Sequence, residues 1–190
     1  MITKDRMYRH FEMRADDNEL RVEGYAAMFD QEEVMYEYDG IQYKEVIDRK
    51  AFDSTQMEDV VMNYNHGGKP VARTKNKTLD LTVDDTGLRV RADLSGTEEG
   101  RKLYDEIKGG YIDKMSFAFT VSEQSYNKDT RTRRITGIKR LYDVAAVDIP
   151  AYDSTSISAR SFFQAEAERE LAEARALEIA VQQLLLIAEV

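Results

Sequence analysis

Thr78-Leu-Asp-Leu-Thr-Val83 alternates polar and apolar residues, Asp84-Asp-Thr-Gly87 turns the chain, and Leu88-Arg-Val-Arg-Ala-Asp-Leu94 alternates again. A period of two on both sides of an Asp/Gly turn is the pattern of a β-hairpin with one buried face. Similar runs lie upstream. Leu20 to Phe29 alternates before the acidic loop Asp30-Gln-Glu-Glu33, and Tyr36 to Ile47 is strand-rich around an Asp39-Gly40 hairpin turn. Ala51 to Met57 reads as a helical turn and Val60 to His66 as a strand.

Downstream, Ser95 with Glu98 three residues on reads as a capping box. The helix it opens, Thr97 to Lys108, gathers Leu103, Tyr104 and Ile107 on one side and stops at Gly109-Gly110. A strand follows from Lys114 to Glu123, then a basic turn from Asn127 to Arg134. Two further strands, Arg134 to Ile138 and Leu141 to Ile149, close at Pro150. The expected class is α+β and predominantly β, an antiparallel β-barrel, closed or partly closed, with a capped helix.

The character changes after Arg160. Phe162 to Val190 lacks Gly and Pro and repeats Leu171, Ala174, Leu177, Val181, Leu184 and Ala188 at three- and four-residue spacing. That is an amphipathic helix. We therefore divide the chain into a domain of residues 1–160 and a C-terminal helix of residues 161–190. The stripe either packs on the parent domain or serves a partner helix or self-association.

Composition narrows the chemistry. The chain has 190 residues, 42% hydrophobic and 33% charged, which points to a soluble protein with one proper core. No apolar stretch approaches the roughly 20 residues that span a bilayer, and the first residues lack the apolar segment of a secretory signal. With no cysteine and two histidines, thiolate nucleophiles, disulfides and Cys- or His-rich metal centres are not available, so neither a metal nor a cofactor is expected. A net charge of −9 argues against nucleic acid as a partner. Chemistry falls to Ser, Thr, His, Asp, Glu, Lys or Tyr in a cytosolic setting.

Three residues stand out. His66 ends an apolar run just before Gly67-Gly68, and strand parity puts it on the face of Val60, Met62 and Tyr64. Ser116 shares a face with Lys114, Ala118 and Thr120, while Met115, Phe117, Phe119 and Val121 form the opposite, core-facing side. Asp143 lies in Leu141-Tyr-Asp-Val-Ala-Ala-Val-Asp-Ile-Pro150, apolar on both faces as a central strand would be, and parity groups it with Leu141 and Ala145. A carboxylate there is costly unless it is paired. An imidazole N–H is one suitable partner, a structural ion pair with Lys139 or Arg140 another, and Asp148 on the opposite face is the alternative acid. Base, hydroxyl and carboxylate together are the kit of a serine hydrolase. Each residue taken singly also has a structural reading, as a turn histidine, an outward serine or a paired aspartate.

The segments around these residues resemble, in order, the tailed-phage prohead protease family. Glu23-Gly-Tyr-Ala-Ala-Met-Phe29 is similar to the family's opening strand. Glu45-Val-Ile-Asp-Arg-Lys-Ala-Phe52 matches a segment that usually ends Gly-Ala-Phe, with Lys50 in place of glycine. Asn65-His66 and Pro70-Val-Ala-Arg-Thr74 resemble the histidine signature, with Ala72 replacing glycine. Gly87-Leu88, Thr97 to Gly100, Lys108-Gly-Gly110, Met115-Ser-Phe-Ala-Phe119 and Leu141 to Ala151 complete the series. The resemblance implies a herpesvirus-protease-like barrel flanked by helices. It maps the base to His66, the nucleophile to Ser116 and the third member to Asp143, where the family usually has glutamate. Herpesvirus relatives use a second histidine, a part only His10 could fill here, from ahead of the matched segments.

The same resemblance implies a capsid-maturation serine endopeptidase acting in the host cytoplasm inside the assembling prohead. Its substrates would be the scaffold or a scaffolding segment of the major capsid protein, and itself. It implies a homo-oligomer, and gives the terminal helix a role in scaffold targeting, in self-association or as a cleavable tail. Arg73 is a candidate for positioning the oxyanion donors or the substrate, with a surface role as its alternative. The rival reading is a capsid-assembly or scaffold-binding module without catalysis. An α/β-hydrolase-type esterase lacks support, because no Gly-x-Ser-x-Gly elbow occurs and the order His, Ser, Asp differs.

Overall fold

The structure, a computed structural model, describes residues 7–15, 19–148 and 157–188, without the side chains of 7–11, 157–161 and 185–188. Ten strands and two helices follow in the order β1 (Met7–Ala15), β2 (Arg21–Met28), β3 (Glu33–Tyr38), β4 (Ile41–Ile47), β5 (Val61–Tyr64), β6 (Gly67–Arg73), β7 (Leu79–Val83), β8 (Gly87–Asp93), α1 (Glu98–Lys108), β9 (Lys114–Asn127), β10 (Thr132–Val147) and α2 (Ile157–Ala188). They form one sheet in the order β3-β4-β10-β9-β1-β2-β8-β7, with β5 paired to β10 and β6 to β5.

The 78–94 hairpin forms as β7 and β8, Leu79 opposite Ala92 and Val83 opposite Leu88. Gly87 is obligatory there, since a Cβ would lie 1.9 Å from the Ala27 carbonyl oxygen of β2. The β3–β4 hairpin turns at Asp39 and Gly40 with φ of 51° and 73°, the left-handed pair that a two-residue turn requires.

The sheet is mixed rather than antiparallel. One edge of β10 carries β9 along its whole length. The other carries β4 in parallel at Thr132 to Ile135 and β5 in parallel at Asp143 to Ala146. Parallel neighbours need long crossovers, so no local turn signal announces them. Nor is the barrel closed. The sheet curls until Phe29, just past β2, bridges Ile47 at the end of β4, and Asp30 N–H donates to the Ile47 carbonyl at 3.0 Å. The result is a predominantly β, curled half-barrel with two helices.

Local differences have local causes. The α1 cap is Thr97, not Ser95: the Thr97 hydroxyl accepts from Gly100 N–H at 2.8 Å. Asp93 takes the Ser95 N–H at 2.9 Å and holds that residue in the preceding turn. Residues 51–57 make successive turns instead of a helical one. The basic stretch is one tight turn, and β10 runs unbroken through Gly137 by absorbing register shifts. The strands β1 and β6 had no sequence-level expectation.

Inside the curl, Met62, Met115, Phe117, Phe119, Leu141 and Val144 form the core with Leu103, Tyr104 and Ile107 of α1. Each such side chain contributes about 1.5–3 kcal/mol by burial. The helix α2 starts at Ile157, earlier than Phe162. Phe163 is buried against Tyr43, ring centroids 6.0 Å apart, and Phe162 meets Tyr126 edge-on at 5.7 Å. Glu170 then accepts from the hydroxyls of Tyr43 at 3.4 Å and Tyr126 at 3.3 Å, and from Arg131 Nε at 2.9 Å. Past the Glu173–Lys128 pair, the stripe that the sequence left open is uncovered: Leu177 is 67% and Leu184 66% exposed.

Candidate active site

Register across three strands sets the site. Asn63 of β5, Ala145 of β10 and Ser116 of β9 are paired in one row, and Val61, Asp143 and Ala118 form a row two residues away, on the same face, beyond the Met62–Val144–Phe117 row. Residues paired across strands share a face, so Ser116 and Asp143 project from the same side of the sheet. That side is away from the core of Phe117 and Val144.

Asp143 reaches this face through a bulge. Leu141 pairs with Phe119, but Asp143 pairs with Ala118, leaving Tyr142 unmatched. The extra residue reverses the parity between Leu141 and Asp143. Leu141 therefore belongs to the core, and the sequence grouping of Asp143 with Leu141 is corrected. Without the bulge, Asp143 would face Phe117.

His66 also departs from strand parity. Strand β5 ends at Tyr64, and Asn65 and His66 form the two-residue turn into Gly67, with φ of 49° and 55°. Two consecutive left-handed residues are strained unless they are held. Here Asn65 N–H donates to the Ala146 carbonyl at 2.9 Å, and its side-chain oxygen accepts from Asp148 N–H at 3.4 Å. The Tyr64 hydroxyl donates to Asp148 Oδ2 at 2.8 Å. Asp148, the alternative acid, thus braces the hairpin.

Held this way, His66 lies between the other two candidates. Its Nδ1 is 2.5 Å from Asp143 Oδ1 and its Nε2 is 2.7 Å from Ser116 Oγ. An ionised carboxylate only accepts, so Nδ1 carries the proton and donates to Asp143. The neutral ring then presents Nε2 as acceptor to the Ser116 hydroxyl. Ser116 is fully buried, and the side chains of His66 and Asp143 are 13% and 7% exposed. In so dry a place the ion pair that forms when the imidazole is protonated is little screened.

Arg73 is not part of the constellation. It lies opposite Val61, at the far end of the β5–β6 hairpin from His66, and forks onto Asp59 with both contacts at 2.7 Å. The Asp59 carboxyl is consequently held below its usual range by that guanidinium. The backbone of His10 is paired opposite Ser116 across β1 and β9. Both nitrogens of His66 are already engaged, so the geometry needs no second histidine on the ring. Sequence reading overlooked Asn63, a buried amide in the Ser116 row whose Oδ1 has no hydrogen-bond partner among the described residues. Among the described residues no cluster of His, Asp and Glu could hold a metal ion.

Comparison with known proteins bears on the family and the fold. Residues 9–170 match the family described as caudovirus prohead serine protease. The structure of the bacteriophage T4 capsid assembly protease, gp21, superposes with a TM-score of 0.52 at 13% identity, covering 77% of this chain and 98% of that one. At that identity the likeness concerns the fold. No curated protein sequence matches the chain.

Proposed function

This chain belongs to the caudovirus prohead serine protease family, and from that premise we propose that it is a capsid-maturation endopeptidase with a Ser116–His66–Asp143 triad. The observation that carries the reading is the bridging imidazole, with one nitrogen on the hydroxyl and the other on the buried carboxylate. A structural histidine needs one of those contacts, whereas acyl transfer needs both.

In the proposed reaction, Nε2 of His66 takes the Ser116 proton as Oγ attacks the peptide carbonyl carbon and the carbonyl π electrons move to oxygen. The tetrahedral intermediate collapses, the C–N bond breaks, and His66 delivers the proton to the leaving amine. His66 then takes a proton from water as the water oxygen attacks the acyl carbon, the C–Oγ bond breaks, and the imidazolium returns that proton to Ser116 Oγ. Asp143 keeps the ring in the tautomer that serves both steps and stabilises the imidazolium. The reaction calls on no cofactor.

Family membership supports the substrates: the scaffold or a scaffolding segment of the major capsid protein, and this chain itself. It likewise supports a homo-oligomer working in the host cytoplasm inside the assembling prohead. Residues 1–160 would be the peptidase unit and residues 161–190 an appended helix. The test co-expresses the chain, or its Ser116→Ala variant, with the cognate capsid and scaffold proteins and reads intact masses. Fragments are expected with Ser116 only. Equal fragments in both would remove Ser116 as nucleophile, and none in either would favour an assembly module.

A further inference from the structure

Two buried side-chain atoms have no hydrogen-bond partner among the described residues, Asn63 Oδ1 and Thr120 Oγ1. Both belong to the face that carries the triad. Asn63 stands in the Ser116 row, with only the methyl group of Ala145 between them. Thr120 follows Ser116 on β9 with Ala118 between, and β9 alternates there without a break. The triad has no proton to offer either atom. Ser116 donates to Nε2, Nδ1 donates to Asp143, and the carboxylate only accepts. A buried polar atom left in this way weakens the resting fold, and its partner has to arrive with a ligand.

The ladder also breaks beside Asn63. Gly67 pairs with Tyr64 and Ala72 with Met62, so the β6 segment from Gly68 to Val71 bows out opposite Asn63 alone. Gly68, Lys69 and Pro70 in that bow are exposed. Strands lie about 4.8 Å apart, so the backbones of Asn63 and Ser116, separated by β10, are about 10 Å apart. Thr120 lies further along β9, about 14 Å from Ser116. An extended peptide rises about 3.3 Å per residue, so it covers the first distance in about three residues and the second in about four. The two atoms lie in different directions from Ser116, one across the strands and one along β9. A peptide with its carbonyl at Oγ therefore meets them with its two halves.

We infer that Asn63 and Thr120 hold the backbone of an extended peptide substrate on the two sides of its scissile bond. Asn63 Oδ1 accepts an N–H about three residues away from that bond, and the Thr120 hydroxyl bonds a peptide group about four residues away on the other side. Such contacts read peptide groups and not side chains, so they set the length and register of the substrate. These roles rest on the peptidase reading of Ser116.

The test uses the full chain and a synthetic peptide that spans a junction cleaved in the co-expressed capsid or scaffold protein. In a matched series each backbone N–H away from the scissile bond is replaced in turn by an ester oxygen. With the wild type, one ester on each side should raise KM about fivefold and leave kcat nearly unchanged. Asn63→Leu should raise KM for the parent peptide by a similar factor and make one of those two esters neutral. Thr120→Val should do the same for the other. Neither variant should lower the thermal midpoint, because each removes a polar atom that has no partner in the resting protein. A residue needed only for the fold would give the reverse, a lower midpoint and the same ester pattern as the wild type, and that result would overturn the assignment. Equal penalties for every ester in the wild type would overturn it too. Cleavage that persists in Ser116→Ala would instead remove the peptidase reading, and these roles with it.

Discussion

The carboxylate of Asp143 meets Nδ1 of His66 at 2.5 Å, although 77 residues separate them in the chain. The aspartate reaches the ring because the bulge at Tyr142 turns it onto the Ser116 face, so the longer glutamate usual in the family is not needed here. Asp143→Asn would present an amide N–H to Nδ1 and favour the wrong tautomer. We expect kcat/KM on a peptide substrate to fall about 10⁴-fold with the unfolding midpoint little changed. A loss below tenfold would exclude Asp143 from the reaction.

The left-handed turn that delivers His66 is equally testable. Asn tolerates φ near 49° and also holds Asp148 N–H, whereas a β-branched residue does neither. Asn65→Val should destabilise the fold by about 1–2 kcal/mol. It should also reduce kcat more than KM, because the imidazole loses its place. Asn65→Gly keeps the turn and should retain more activity. Equal kinetics for the two variants would contradict the argument.

At the other end of β10, Arg133 and Glu45 form a buried ion pair, Nη1 to Oε2 at 3.1 Å, with side chains 6% and 1% exposed. Gln124 accepts from the same guanidinium at 2.9 Å, and the Phe162 ring of α2 lies 4.6 Å from it. Arg133→Met removes the cation paired with this buried carboxylate and should cost about 3–5 kcal/mol in urea unfolding. Adding Glu45→Leu should recover a large part of that loss. A double variant no better than the single would mean that packing, and not charge, is at stake.

Alkaline pH should release α2. Burial first, and then the Glu170 carboxylate, push the Tyr43 and Tyr126 hydroxyls above their ordinary value of 10.0. In the unfolded or undocked chain these phenols ionise near 10, so the docked form is favoured at full strength below that pH. The advantage falls away as pH climbs beyond 10 toward the raised values. Protection of α2 amides relative to their intrinsic, base-catalysed exchange should therefore fall above pH 10, and tyrosinate absorbance should show a late-titrating class that Glu170→Gln brings earlier. Tyrosines titrating together near 10 would count against this account.

What could be read from residue order divides cleanly by range. The 78–94 hairpin, the Asp39-Gly40 turn, the apolar face of α1 and the helicity of α2 all express local patterns. Strand parity failed at two positions, His66 and Asp143, and at both for one reason. An extra residue or a left-handed turn resets which side a chain presents, and periodicity carries no mark of either. The parallel partnerships of β10 with β4 and β5 were hidden because their strands are joined through most of the molecule. The candidate trio could be named from motif order, but its meeting depends on those hidden pairings. Ser95 was misread as a cap because Asp93, two residues earlier, competes for its N–H.

Among the described residues the strand β5 has two neighbours, β6 and β10, and β10 is the last strand in chain order. On the ribosome, His66 and Ser116 are therefore synthesised well before the strand that aligns them. Until Asp143 to Ala146 emerge, β5 and β6 are a lone hairpin with no sheet to lie on, and such a hairpin is marginal in water. A growing chain consequently holds a serine and a histidine that cannot cooperate.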